Sequence, residues 1–392
     1  MARQTAISIN TIPIGPLGII GMPGCEELTD KIDKYLVKWR RTQASEHAES
    51  IAFFGYQRDT YKIDVSIPRF GSGEGKGVIN ESVRGYDIYI VCDVFNYSCS
   101  YDMYGRKVYM SPDDHFADLK RVISALCSKP KRVSVIMPML YEGRQHKRSS
   151  RESLDCAMAL KELVHLGVEN IITFDAHDQR VQNAIPDKSF ENVMPTYQMI
   201  KALVNNVEDL NVDKDHLMII SPDEGALHRC IYFATQLGVN LGMFYKRRDY
   251  TRVVNGRNPI VEHQYLGDSV KDKDIIIVDD MISSGESMLE VAMKLKNLGC
   301  GRIFVCTTFG LFCNGLDVFD KAYKDGVFYR VFTTNGVYQP QELLDREWYV
   351  SVELSKYAAY LIDTLNHDMS VSSLLDSSAK IDTLLKNKGL KD

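Results

Sequence analysis

No two cysteines of the 392-residue chain stand at Cys-x-x-Cys spacing. Its nine cysteines are scattered, which fits reduced, mostly buried thiols and argues against a disulfide framework or a zinc site. Long apolar runs are lacking too: none reaches the roughly 18 residues that a membrane span needs. The first apolar stretch, Ile12 to Met22, is interrupted by Pro13, Gly15, Pro16, Gly18 and Gly21 and so lacks the continuous apolar region of a signal peptide. The expectation is a cytoplasmic protein with no membrane partner. There is no excess of positive charge. A net charge of −5 argues against a chain that coats nucleic acid. Repeats of 20–50 residues and low-complexity segments are also missing.

What is present is an ordinary globular composition, 45% hydrophobic and 25% charged, on a chain longer than one core usually supports. Two domains are expected. Short β-rich runs at Val133–Met137, Ile171–Phe174, Leu217–Ile220, Ile275–Val278 and Ile303–Cys306 are each followed by a turn and a helical pattern, the signature of parallel βαβ units. The fold class is therefore α/β, two similar domains that each hold a mainly parallel sheet flanked by helices. The loop signal at Asn183–Asp187 puts the boundary near residue 190, giving domains 1–190 and 191–392.

In open parallel sheets ligands bind beyond the carboxyl ends of the strands. The residues there are polar: Tyr141-Glu142-Gly143-Arg144-Gln145, Asp175-Ala176-His177, Ser221-Pro222-Asp223-Glu224-Gly225 and Asp279-Asp280-Met281-Ile282-Ser283-Ser284-Gly285. The last is the most informative. A buried strand leads to two carboxylates, a hydroxyl-rich turn and a helix whose apolar face is Met288, Val291, Ala292 and Leu295, with Gly299 past its end. Free N–H groups and hydroxyls at a helix's positive end suit a phosphate dianion, and adjacent carboxylates can accept from vicinal hydroxyls. Together they suggest a ribose phosphate, with simple helix capping by Asp280 and the serines as the other reading.

This segment resembles the ribose-phosphate-binding loop of the type I phosphoribosyltransferase fold. Phe70, Glu74 and Glu81–Gly85 resemble the nucleotide hairpin of the ribose-phosphate diphosphokinases within it. Arg144-Gln145, Asp175-Ala176-His177, Ser221-Pro222-Asp223 with Gly225, and Tyr245-Lys246-Arg247-Arg248 follow in the same family's order. The C-terminal Thr307–Phe312, Thr333-Thr334-Asn335 and Ser370-Val371-Ser372 continue the resemblance to about residue 375.

The resemblance implies transfer of the terminal diphosphate of Mg-ATP to C1 of ribose 5-phosphate. It assigns Lys246 and Arg248 to catalysis over the reacting phosphate. Phe70, Glu74, Arg144, Gln145 and His177 fall to ATP, with adenine between Phe70 and Arg144. Asp279, Asp280, Ser283, Ser284, Gly285 and Ser287 hold ribose 5-phosphate, Asp223 and Gly225 form the diphosphate loop, and His177 and Asp223 are Mg²⁺ contacts. It also implies a homo-oligomer built from dimers, a hexamer being one such form, because family members place the Phe-bearing hairpin against a neighbouring subunit. Gly71–Gly77 is not a Walker A loop: three residues separate Gly71 from Gly75, and Gly77 stands where Ser or Thr should bind magnesium.

The chain departs from the family at Ser72, where Asn or Asp is usual, and at Ala226 and Glu286, which replace loop glycines. Acidic residues after Arg144-Gln145 are replaced by the basic run His146–Arg151. Arg40 to about Tyr61 reads as an insertion. The alternatives are a phosphoribosyltransferase, which shares the ribose-phosphate loop, and a non-catalytic regulatory homologue, which the altered glycines suggest.

Overall fold

The computed structural model describes residues 11–43, 55–248 and 260–391. The chain divides into two compact units. One comprises Met1–Met194, Gly336–Tyr338 and Glu353–Asp376; the other comprises Pro195–Asn335, Gln339–Val352 and Ser377–Asp392.

The first unit runs β1 (Leu17–Gly21), α1 (Glu26–Gln43), β2 (Val65–Ser66), β3 (Val78–Ile79), β4 (Asp87–Val91), β5 (Ser100–Met103), β6 (Arg106–Tyr109), α2 (Pro112–Ala125), β7 (Arg132–Ile136), α3 (Asp155–His165), β8 (Asn170–Phe174) and β9 (Ser189–Val193). Its main sheet has the order β1-β4-β7-β8-β9 and every pairing is parallel. Strands such as Asp87–Val91 and Asn170–Phe174 are buried along their whole length, as a parallel sheet covered on both faces requires. The helix α2 starts sharply because Ser111 and Asp114 cap each other reciprocally and Pro112 occupies its first turn.

The second unit follows with α4 (Thr196–Asn206), β10 (Leu217–Ser221), α5 (Leu227–Leu237), β11 (Asn240–Arg248), β12 (Ile260–Leu266), β13 (Asp274–Ile282), α6 (Glu286–Asn297), β14 (Ile303–Gly310), α7 (Asp317–Lys324), β15 (Arg330–Thr334), α8 (Gln341–Leu344) and β16 (Tyr349–Val352). Its sheet order is β12-β11-β10-β13-β14-β15-β16, with only β12 antiparallel to its neighbour. The chain then re-enters the first unit with α9 (Ser355–Asn366) and α10 (Ser372–Leu375), and ends in the second with α11 (Ser378–Asn387). Residues 353–376, expected in the second domain by chain order, thus pack with the first unit.

That return is fixed by a buried polar lock. Arg40, 1% exposed, donates to Asp363 Oδ1 from Nε at 3.0 Å and from Nη2 at 2.9 Å, and to Asn366 Oδ1 at 2.7 Å. The rings of Tyr56 and Tyr61 lie 4.5 and 5.1 Å from its guanidinium. Arg40, read from sequence as the start of an insertion, is therefore a buried residue of α1. The chain leaving the insertion covers the free edge of β1: Ile19 N donates to Tyr61 O at 2.7 Å and Ile63 N to Ile19 O at 2.8 Å.

Strand β13 extends beyond the expected Val278, and β14 beyond Cys306. Pairing continues from Asp279↔Thr307 to Ile282↔Gly310, so Asp279 and Asp280 are strand residues and not part of the following turn. On the other side β13 is paired with β10 only as far as Ile277. The carboxylates therefore stand where one edge of the strand has lost its neighbour. No described helix is long and apolar enough to cross a membrane.

Candidate active site

In the second unit, β10 ends at Ser221 and turns into α5 through a loop held by its own side chains. Asp223 Oδ1 accepts from Gly225 N at 2.9 Å and Ala226 N at 3.2 Å, and Ser221 Oγ donates to Asp223 O at 2.7 Å. Ala226, where the family has glycine, is buried at the start of α5 and its methyl joins the core. One turn on, Arg229 is 7% exposed and reaches β13: Nη1 lies 3.5 Å from Asp279 Oδ1 and Nη2 4.0 Å from Asp280 Oδ2. Burial, and then the neighbouring Asp280 carboxylate, push the Asp279 carboxyl well above the usual carboxylate range, and the Arg229 charge opposes them.

Sequence reading missed Arg229. The signal was there, since Arg229 stands four residues before Phe233 on the apolar face formed by Cys230, Phe233, Ala234 and Leu237.

The turn from β13 into α6 brings Ser283, Ser284, Gly285 and Ser287 to the helix N-terminus. Gly285 has φ +85, and a Cβ there would sit 2.3 Å from Phe319 Cζ, so glycine is required twice over. The loop after β14 braces the turn: Leu311 N donates to Ile282 O at 2.8 Å and Cys313 N to Ser283 O at 2.9 Å. Glu286, which replaces a loop glycine of the family, is exposed and accepts from Asn314 Nδ2 at 3.4 Å. Lys246 and Arg248 are the closing residues of β11, paired in register with His263 and Ile260; their side chains lie outside the described residues.

In the first unit, the loops after β7 and β8 meet. The rings of His146 and His177 are 5.3 Å apart, and His146 Nε2 lies 3.4 Å from Asp178 Oδ2. Burial lowers the His146 pKa, so this imidazole is held toward its neutral form. Asp178, hydrogen-bonded to the Arg180 side chain, is held well below the usual carboxylate range. Gln145 shapes the loop by donating from Nε2 to Ser153 O at 2.9 Å, and Arg144 is exposed.

Phe70 lies elsewhere in this unit. It tips the hairpin whose base is β2–β3, closed by Phe70 N donating to Glu74 O at 2.9 Å, and is 59% exposed. Ser72 Oγ donates to Glu74 Oε2 at 2.6 Å, so the residue that departs from the family pattern orients the glutamate. The open groove of about 720 Å³ beside Phe70 is lined by Lys76, Ala117, Lys120 and Arg121, among others, and by none of Arg144, Gln145 or His177. Within one chain, Phe70 and Arg144 therefore do not share that groove.

Two domain families match, one after the other along the chain. Residues 17–167 match the N-terminal domain of ribose phosphate pyrophosphokinase and residues 188–340 the phosphoribosyl transferase domain. The chain belongs to the ribose-phosphate pyrophosphokinase family. The Vibrio parahaemolyticus ribose-phosphate pyrophosphokinase is 26% identical over 318 residues, 80% of this chain and 91% of that protein. The Aquifex aeolicus protein of the same name is 27% identical over 254 residues, 64% of this chain and 72% of its own length. The crystal structure of phosphoribosylpyrophosphate synthetase from Mycobacterium smegmatis shares the fold, with a TM-score of 0.69 at 19% identity, covering 90% of this chain and 99% of that one. The phosphoribosyltransferase-type α/β architecture of this family thus extends over both units.

Proposed function

We propose that the chain is a ribose-phosphate diphosphokinase acting on Mg-ATP and ribose 5-phosphate. The observation that carries the reading is the β13–α6 segment. An Asp279–Asp280 pair backed by buried Arg229 stands one turn ahead of a Ser283–Ser287 phosphate turn whose glycine is sterically fixed. Ribose 5-phosphate would set its phosphate on the turn's N–H groups and hydroxyls and its ring hydroxyls on the two carboxylates.

The C1 hydroxyl oxygen then attacks the β-phosphorus of ATP in line. The new O–Pβ bond forms as the bond from Pβ to the bridging α–β oxygen breaks, AMP leaves with that oxygen, and the hydroxyl proton passes to solvent. Lys246 and Arg248 neutralise the charge that develops on the transferred group. Phe70, Glu74, Arg144 and Gln145 take the nucleotide.

Among the described residues, no group of three or more His, Cys, Asp or Glu is arranged to hold a metal. His177 and Asp223 would each hold magnesium as a single contact, and the bound ion would supply charge neutralisation on the triphosphate. A site that takes adenine between Phe70 and Arg144 would draw the hairpin from a second copy, since Arg144 does not line the groove beside Phe70. A homo-oligomer fits that requirement.

The test is a Lys246→Ala, Arg248→Ala double variant. It should cut turnover by roughly a thousandfold, the scale set by removing preorganised transition-state contacts. Calorimetric affinity for ribose 5-phosphate should stay near that of the unsubstituted chain. Full turnover in the double variant would remove the role assigned to Lys246 and Arg248.

A further inference from the structure

The β5–β6 hairpin is an aromatic-rich excursion that the proposed mechanism leaves unused. Its two-residue turn places Tyr104 at φ 50 and Gly105 at φ 71, both left-handed, as a primed hairpin turn requires. Asn, Asp or Gly suits the first of these positions, and a bulky tyrosine is strained there. Nothing in the core compensates, because Tyr104 is 78% exposed. Strain at an exposed aromatic points to a task outside folding.

The location suggests the task. Tyr104 N donates to Gly71 O at 2.8 Å, joining this turn directly to the loop that carries Phe70. Beneath it, a Cβ on Gly73 would stand 2.6 Å from Met103 Sδ and 3.5 Å from Tyr101 Cε2, so the two loops are packed to contact. The Arg69 guanidinium lies 4.4 Å from the Tyr101 ring centre and pairs with Asp118 at 2.6 Å, while Tyr101 Oη donates to Asp114 at 3.2 Å. Helix α2, the nucleotide loop and the β5–β6 hairpin are thereby tied into one tip that exposes two aromatic side chains, Phe70 and Tyr104.

We propose that the β5–β6 hairpin is part of the nucleobase site: Tyr101 and Met103 are positioning residues that fix the Phe70 loop, and Tyr104 sets a second ring beside Phe70 on the same face of the purine of Mg-ATP, leaving the other face to Arg144. The proposal rests on the nucleotide role assigned to Phe70.

The experiment compares Tyr104→Asn and Tyr104→Phe with the unsubstituted full chain. Asn suits the left-handed turn, so the hairpin should fold at least as well. Calorimetry should show Mg-ATP binding weakened about tenfold in Tyr104→Asn, the loss expected for one base–aromatic stack, and restored in Tyr104→Phe. KM for ATP should rise in parallel, with kcat and ribose 5-phosphate affinity held within about twofold. Unchanged Mg-ATP affinity in Tyr104→Asn overturns the proposal. So does a loss that Phe does not restore, or one that sedimentation traces to altered assembly, in which case the tyrosine holds a second copy. If Mg-ATP binding depends on Tyr104 but no 5-phosphoribosyl diphosphate forms, this inference stands and the diphosphokinase reading fails.

Discussion

Gly285 answers to two constraints, a left-handed backbone and the ring of Phe319 directly behind it. Gly285→Ala should destabilise the second unit by about 2–4 kcal/mol, summing backbone strain and overpacking. Ribose 5-phosphate binding should weaken more than nucleotide binding. Trp348 stacks on Phe319 at 5.6 Å, so its fluorescence during urea unfolding reads the change where it occurs. An alanine variant with the original urea midpoint would contradict the close packing of Gly285 on Phe319. The β13–α6 turn could be read from sequence because its signals are local: carboxylates, hydroxyls and glycine follow one another. Arg229 could not be placed with it, because the contact joins residues 50 positions apart across two elements, from Arg229 to Asp279. The left-handed Tyr104 was hidden for a similar reason, since nothing in Asp102–Arg106 announces which loop the turn will touch.

At the scale of elements, strands with continuous apolar runs and the helix α6 were legible, the latter down to its buried Met288, Val291, Ala292 and Leu295. Strand ends were not. The acidic pair in β13 reads as a stop, yet pairing with β14 carries the strand four residues further, to Ile282. Likewise the insertion after α1 gave no hint that Arg40 would be buried against α9, more than three hundred residues away. Arg40→Ala would leave Asp363, 4% exposed, without its guanidinium. Breaking a buried pair in this way should cost roughly 3–5 kcal/mol. Thermal unfolding followed by Trp39, which stacks on Tyr360 of α9 at 4.3 Å, measures it; a shift below about 1 kcal/mol, the scale of an exposed pair such as Arg41–Asp59, would show that the lock carries little.

Across the whole molecule, both units are built on mainly parallel sheets, and neither is one continuous stretch of chain, since α9 and α10 group with the first unit. Stability should also carry a pH signature from that unit. Asp93, in the loop after β4, accepts from Phe95 N at 2.9 Å and Tyr338 N at 2.7 Å, but burial dominates and pushes its carboxyl up to about 7. Unfolded, it titrates near 3.9. Between these values the folded state holds a proton that the unfolded state has released. Stability therefore falls as pH rises from about 4 to about 7, by up to about 1.4 kcal/mol per pH unit, and levels off above. Asp93→Asn should flatten that stretch of the curve when Trp39 is followed in a Trp348→Phe background; parallel curves would place the titration elsewhere.

The central claim concerns chemistry, and ³¹P NMR addresses it most directly. With the full chain, ATP, Mg²⁺ and ribose 5-phosphate, AMP and 5-phosphoribosyl diphosphate should grow in equal amounts, and neither should form without magnesium. Bound ligands with no such pair of products would contradict a diphosphokinase and favour a regulatory or transferase role for the same fold.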